Sequence, residues 1–175
     1  MLTPLWLTLK VALLATLLAG GAGIVLGWWM ARRRFAGHAV VDSFLMLPMV
    51  LPPTVLGYYL IVVVGRNGVL GRYLDQWFGI NLMFTWQGAV MAASIVSLPL
   101  IYKAARAAFE DADPRMVLAA RTLGASELEI FLRISLPLAG RGVVAGLMLA
   151  FARAMGEFGA TLMIAGNLPG KTQTL

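Results

Sequence analysis

The sequence contains no cysteine and a single histidine, His38, among its 175 residues. Without cysteine there can be no disulfide framework, no iron–sulfur cluster and no thiolate-bound zinc. One imidazole also argues against most other metal sites. We therefore expect no metal centre in this chain.

Charged residues are scarce as well. Only 13% of the residues are charged and 60% are apolar, whereas a soluble domain has about 25% charged residues. Too little polar surface is available to cover a water-facing domain, which excludes a soluble enzyme. A net charge of +6 would suggest nucleic acid in a soluble protein, but here the arginines flank apolar stretches, as in membrane proteins.

Four apolar stretches are long enough to cross a hydrocarbon core of about 30 Å as helices. They predict an all-α, polytopic membrane helix bundle, with residues 1–175 forming a single transmembrane domain. The predicted spans are residues 11–30, 43–65, 84–102 and 137–166. The second span contains three prolines and is predicted to bend and to pack against protein.

The distribution of basic residues predicts the orientation of the spans. Arg32, Arg33 and Arg34 follow the first span, and cytoplasmic loops collect Lys and Arg. This places residues 103–136 in the cytoplasm and both chain ends outside. The external stretch before the third span carries an Asn67–Gly68 turn and several aromatic residues that suit an interface belt. Because the sequence stops without a polar tail, we expect that a C-terminal helix is missing.

The cytoplasmic segment 103–136 carries the strongest local signals. Asp113 and Pro114 predict a helix start, and Gly124 predicts its end, because glycine accepts the left-handed conformation. Ser126 and Glu129 have the spacing of a capping box. A second short helix is therefore predicted up to about Ser135, with Pro137 opening the fourth span.

Two short helices around a glycine corner bury little area of their own, so we expect them to pack on something else. Small side chains at Ala119 and Ala120 allow a close approach, and Leu123, Leu128 and Phe131 could fill a groove on a partner. The alternative is that this loop lies against its own bundle.

At these residues the sequence resembles a known family. Ala119–Ala120, Gly124 and the Ile134-x-Leu136-Pro137 run match, with complete spacing, the loop signature of the membrane permease subunits of binding-protein-dependent ABC importers. One position departs from it, since Leu118 stands where the family usually has glutamate. A salt bridge or hydrogen bond of that carboxylate is then absent. By the resemblance, the residues that dock on the ATPase are Ala119, Ala120, Leu123, Gly124, Ala125, Leu128 and Phe131.

The resemblance also implies the assembly. The chain would form a homodimer in the lipid bilayer of a prokaryotic inner membrane, with two ABC ATPase subunits on the cytoplasmic side and an external oxyanion-binding protein. It would catalyse no bond chemistry and hold no cofactor of its own, because ATP is bound by the partner ATPase. Residues 166–172 resemble a phosphate loop, but they have one residue too few between the glycines.

Within the family, residues 151–161, 167–174 and 47–53 look most like molybdate permeases, which implies molybdate or tungstate as the cargo. Sulfate permeases have a similar Gly-Glu-aromatic-Gly stretch, so a sulfate or thiosulfate importer is the alternative. A rival from another class is a channel or ion-driven carrier that works without ATP. No inverted repeat of the kind that carriers often show is visible in the sequence.

Two charges inside the fourth span need an explanation. Arg153 and Glu157 are four residues apart, so they share a helix face and can neutralise each other. They either line the pathway, where Arg153 could attract an oxyanion, or form an internal ion pair that holds a bend. The candidate residues for the pathway or the bend are Arg153, Gly156, Glu157, Phe158, Gly159 and Thr161.

Overall fold

The computed structural model describes residues 2–33, 35–65, 68–78, 82–168, 172 and 174. Its regular structure is entirely helical within these residues, so the all-α fold class is confirmed. The helices are α1 (Leu2–Arg32), α2 (His38–Val50), α3 (Pro53–Val64), α4 (Val69–Phe78), α5 (Trp86–Glu110), α6 (Pro114–Thr122), α7 (Glu127–Ile130) with a π-helical turn (Phe131–Ser135), α8 (Leu136–Leu138), α9 (Gly140–Met155) and α10 (Gly159–Ala165).

Helix α5 lies at the centre of the bundle. Gly23 and Gly27 of α1 and Gly142 and Gly146 of α9 allow these two helices to pack closely against α5. A Cβ atom at Gly27 of α1 would lie 2.9 Å from the backbone nitrogen of Arg106. On α9, a Cβ atom at Gly146 would lie 2.7 Å from the Cβ of Ala104. The small residues therefore serve helix packing within the chain, where a side chain would force the backbones apart.

Helices α2 and α3 correspond to the second predicted span, and they meet at an angle of 111°. The expected proline bend is present, because Pro52 stands at the break and Pro53 opens α3. Helix α3 buries Leu56 against the bundle. Helix α2 buries none of its residues, so polar contacts hold it in place.

The segment of the fourth predicted span contains a bend near its start. The short helix α8 begins at Leu136 and has Pro137 in its first turn, where the missing N–H of proline needs no partner. It follows the π-helical turn at Phe131–Ser135, and the axis turns by 78° before Gly140. The point at which the fourth span enters a membrane stays a prediction. The expected bend near Gly156 is present, between α9 and α10.

Two of the described helices, α1 and α5, are long and apolar enough to cross a membrane, and the number rises to four if each bent pair forms one span. The topology itself stays a prediction. Helix α4 lies between candidate spans and exposes Val69, Tyr73 and Trp77. Asn67 of the predicted turn and residues 169–171, 173 and 175 of the C-terminal stretch lie outside the described residues.

Candidate functional site

The candidate site is the elbow, by which we mean residues 113–138, within the segment that is predicted to be cytoplasmic. Its first helix, α6, begins where the Asp113 carboxylate accepts a hydrogen bond of 2.9 Å from the N–H of Arg115. It ends at Gly124, whose φ of 81° is left-handed. There the N–H of Gly124 bonds the Arg121 carbonyl at 3.0 Å and the N–H of Ala125 bonds the Ala120 carbonyl at 3.1 Å. These two bonds form a Schellman motif, so the predicted corner is confirmed.

The second helix of the elbow begins with the predicted capping box. The Ser126 hydroxyl accepts a hydrogen bond of 3.3 Å from the N–H of Glu129, and the Glu129 carboxylate accepts one of 3.0 Å from the N–H of Ser126. That backbone donor lowers the pKa of Glu129. The carboxylate is therefore charged at neutral pH and satisfies the helix start.

An ion pair fixes the angle between the two helices of the elbow. Glu127 at the start of α7 receives two hydrogen bonds from the guanidinium of Arg121 on α6, at 2.7 and 3.2 Å. The hydrogen bonding to Arg121 lowers the pKa of Glu127. A planar two-point contact restrains orientation as well as distance, so the elbow has a defined shape.

The predicted docking residues divide into two groups. Leu123 is 87% exposed and Leu128 is 66% exposed, and Ala119 and Gly124 are also on the surface. Ala120 is buried, and Ala125 is half-buried. The exposed leucines present apolar area beside the glycine corner, which is the surface expected of a docking elbow.

Phe131 does not belong to that exposed surface. Its ring packs edge-on against Trp28 of α1, with centroids 5.0 Å apart, and lies 6.3 Å from the ring of Phe109 on α5. The prediction that Phe131 fills a groove on a partner does not fit this arrangement, because the bundle already covers the ring. The second helix of the elbow thus lies against its own bundle at Phe131, and docking of the exposed part on a partner stays a prediction.

A cleft of about 870 Å³ separates α6 from the bundle. Leu118 lines it, together with Arg32, Arg106 and Arg121. No carboxylate stands at position 118, so the arginines find partners elsewhere in the chain. Arg106 pairs with Glu110 at 2.8 Å, and Arg121 pairs with Glu127.

Sequence reasoning missed Asp42, which ties α2 to α5. Its carboxylate accepts hydrogen bonds from the Tyr102 hydroxyl at 2.6 Å, from Lys103 at 2.9 Å and from Arg106 at 2.8 Å. An acidic residue at the start of a predicted span was the only sequence signal. Its partners lie about 60 residues away in the chain, and local patterns carry no information about such contacts.

At the second group of candidate residues, an ion pair holds the bend between α9 and α10. Arg153 contacts the Glu157 carboxylate at 2.6 Å, and the side chain of Glu157 is 1% exposed. The other Glu157 oxygen accepts a hydrogen bond of 2.8 Å from the N–H of Ala160, in the first turn of α10. The Thr161 hydroxyl donates to the Glu157 carbonyl at 2.9 Å. This geometry favours the internal ion pair as the role of the two charges.

The glycines of the bend differ from each other. A Cβ atom at Gly159 would lie 2.7 Å from the Cβ of Pro53, so glycine lets α10 approach α3. A Cβ atom at Gly156 would meet nothing closer than 3.8 Å. Phe158 between them is 51% exposed. The bend thus rests on Glu157 and Gly159 more than on Gly156.

Comparison with known proteins gives the family. Residues 23–174 match the family of binding-protein-dependent transport system inner membrane components. The chain belongs to this family. It is therefore a multi-pass inner-membrane permease subunit of the ABC importer type, and a binding-protein-dependent system also requires an ATPase and a binding protein.

Members of this family with named functions are similar to the chain over most of its length. The molybdenum transport system permease ModB of Escherichia coli K12 is 48% identical over 97% of this chain and 74% of its own length. ModB of Haemophilus influenzae is 46% identical over the same shares. The sulfate permease CysT of Salmonella typhimurium is 36% identical over 95% of this chain and 60% of its own length.

Proposed function

We propose that this chain forms the transmembrane pathway for molybdate or tungstate in an ATP-driven importer. The chain catalyses no bond chemistry and needs no cofactor of its own, and ATP is bound by a separate ATPase. Identity to molybdenum permeases, including one named as putative, is 41–48%, and identity to sulfate permeases is 36–37%, which supports molybdate over sulfate as the cargo.

The elbow carries the coupling part of the proposal. A rigid short helix passes on a displacement that a flexible loop would absorb. The Schellman motif, the capping box and the Arg121–Glu127 pair all stiffen the elbow. Leu123 and Leu128 remain exposed beside them, so an ATPase cleft can receive this surface and push it.

The functional assembly in this proposal contains two copies of the chain, two ATPase subunits and an external oxyanion-binding protein. The apolar faces of α2 and α3 that expose Phe44, Val50 and Tyr58 are available to lipid or to the second copy.

Reconstitution in proteoliposomes tests the proposal. The permease, its ATPase and the binding protein should take up radiolabelled molybdate only with ATP, and excess tungstate should compete more strongly than sulfate. A matched preparation with a hydrolysis-deficient ATPase is the control and should show no uptake. Equal uptake without any ATPase would identify a channel or carrier instead, and stronger competition by sulfate would assign the sulfate alternative.

A further inference from the structure

Two side chains at the cytoplasmic end of α1 contact the second helix of the elbow. Trp28 and Arg32 are four residues apart and therefore share one face of α1. On the elbow, Glu127, Phe131 and Ser135 follow at the same spacing. The ring of Trp28 packs on Phe131, with centroids 5.0 Å apart, and Arg32 reaches the two polar residues on either side of that ring.

Arg32 makes the polar part of this contact. One of its terminal nitrogens donates a hydrogen bond of 2.5 Å to the Ser135 hydroxyl, and the other lies 3.7 Å from the Glu127 carboxylate. The guanidinium also lies 5.0 Å from the centre of the Trp28 ring. Ser135 is 2% exposed, so its hydroxyl has exchanged water for Arg32. A buried charge-assisted hydrogen bond is stronger than an exposed one.

The first helix of the elbow stands further from the bundle. The cleft of about 870 Å³ lies between α6 and the bundle. Among the described residues, Arg121 of α6 pairs with Glu127 at the start of α7, and Glu127 also faces Arg32. Glu127 therefore links α6 to the contact between α7 and α1.

We propose that Trp28 and Arg32 are positioning residues that fasten the elbow to α1, so that the displacement produced by the ATPase is delivered to α1. The contact persists through the transport cycle, and α1, α5 and the second helix of the elbow move as one body. This inference rests on the proposed function, because it needs an elbow that an ATPase pushes. It concerns residues outside the signature loop, and it makes α1 an element that receives the displacement.

Loss of the contact should uncouple hydrolysis from transport. With the complete complex in proteoliposomes, Arg32→Ala should raise the ATP hydrolysed per molybdate imported by on the order of fivefold. Arg32→Lys retains the charge but has a single terminal nitrogen, which cannot face both Ser135 and Glu127, so its ratio should lie between those of Arg32→Ala and the unchanged protein. Arg33→Ala is the matched control, because it removes the neighbouring exposed arginine and should leave the ratio unchanged. An unchanged ratio in Arg32→Ala would overturn the inference.

Cross-linking tests the persistence of the contact. The chain has no cysteine, so Trp28→Cys with Phe131→Cys introduces the only thiols of the permease. Used with a cysteine-free ATPase and binding protein, this double variant should be uncoupled as made and should regain coupled uptake after treatment with a short bifunctional thiol reagent. Cross-linking that blocks uptake would overturn the inference, because it would show that the contact must open. Labelling of the two single-cysteine variants controls for the reagent itself.

The two proposals fail in different ways. If uptake proceeds without an ATPase, the proposed function fails. If uptake stays strictly ATP-driven while the Arg32→Ala ratio is unchanged, only the attachment to α1 fails. If Arg32→Ala does not reach the membrane, the cross-linking experiment tests the attachment instead, because it compares the same protein before and after treatment.

Discussion

The elbow at Gly124 and the bend at Gly156–Phe158 both interrupt a helix, and each uses a glutamate to satisfy an N–H at the break. At the elbow, Glu129 accepts from Ser126 and faces water. At the bend, Glu157 accepts from Ala160 while 1% of its side chain is exposed, and it needs Arg153 as a counter-charge. The two sites differ in what can accept the backbone N–H if the glutamate is removed. Water can reach the N–H of the exposed Ser126, whereas Ala160 is buried and its N–H would have no acceptor.

The largest effect is therefore expected at the buried bend. Removing one partner of a fully buried ion pair costs about 3–5 kcal/mol, and the Arg153 side chain is 35% exposed, so Glu157→Ala should lower the unfolding free energy by about 3 kcal/mol, at the lower end of that range. Thermal unfolding of the purified protein in detergent measures it. Glu157→Ala combined with Arg153→Met should recover part of the loss, because no unpaired charge remains. A folded Glu157→Ala protein of normal stability with altered anion uptake would assign the pair to the pathway instead.

The two glycines of the bend provide the next comparison. In Gly159→Ala the new Cβ meets Pro53 at 2.7 Å, and overpacking of this kind costs about 1–3 kcal/mol. Gly156→Ala is the matched control, since its Cβ has room and its φ of −92° suits alanine. Unfolding measurements on both variants check this. Equal destabilisation would show that the approach of α10 to Pro53 is not what fixes the bend.

At the elbow, Gly124 has space for a side chain but a left-handed backbone, with a φ of 81°. Gly124→Val should thus cost only about 1–2 kcal/mol of conformational strain, which the chain can relieve by opening the corner. We expect the protein to reach the membrane and the ATP hydrolysed per molybdate to rise. Gly124→Asn is the control and should stay coupled, because asparagine tolerates this backbone conformation. Normal coupled uptake in Gly124→Val would contradict the proposal that a rigid elbow transmits the motion of the ATPase.

The smallest effect concerns pH. The pKa of Glu129 is lowered in the folded elbow by the N–H of Ser126, so its stabilising contribution is present above the ordinary carboxyl pKa and is lost as the pH falls through the lowered value. Protection of the Ser126 amide from hydrogen exchange, measured relative to its intrinsic exchange rate at each pH, should fall over that acidic range. Glu129→Gln is the control, since its protection should not follow this carboxyl titration. An unchanged pH profile of protection in Glu129→Gln would assign the loss of protection to another group.

Local signals predicted the local structure well. The start at Asp113–Pro114, the corner at Gly124 and the capping box of Ser126 and Glu129 depend on residues within a few positions of each other. Each is therefore readable in the sequence, and each is confirmed. The Arg153–Glu157 pair followed from helical spacing alone.

Long-range contacts were not predictable in the same way. Arg32 bonds Ser135 across 103 residues of sequence, and no pattern in either segment indicates its partner. Phe131 was assigned to a docking surface because an exposed and a buried aromatic look alike in sequence. The 78° turn before Gly140 was also not predicted, because it depends on how α8 and α9 pack and not on a local pattern. The docking role of the elbow residues and the membrane topology stay predictions.

The glycine and alanine contacts along α5 have a mechanical consequence. At Gly23, the place of a Cβ atom is already filled by the side chain of Ile101, so α1 cannot slide along α5 without a steric collision. Tilting keeps this contact, whereas sliding requires Ile101 to leave its place. A rod of about 40 Å, roughly the length of α5, shifts its far tip by about 3 Å for a tilt of about 5°. A small tilt of the packed helices therefore displaces their far ends by about 3 Å without any helix changing its neighbours.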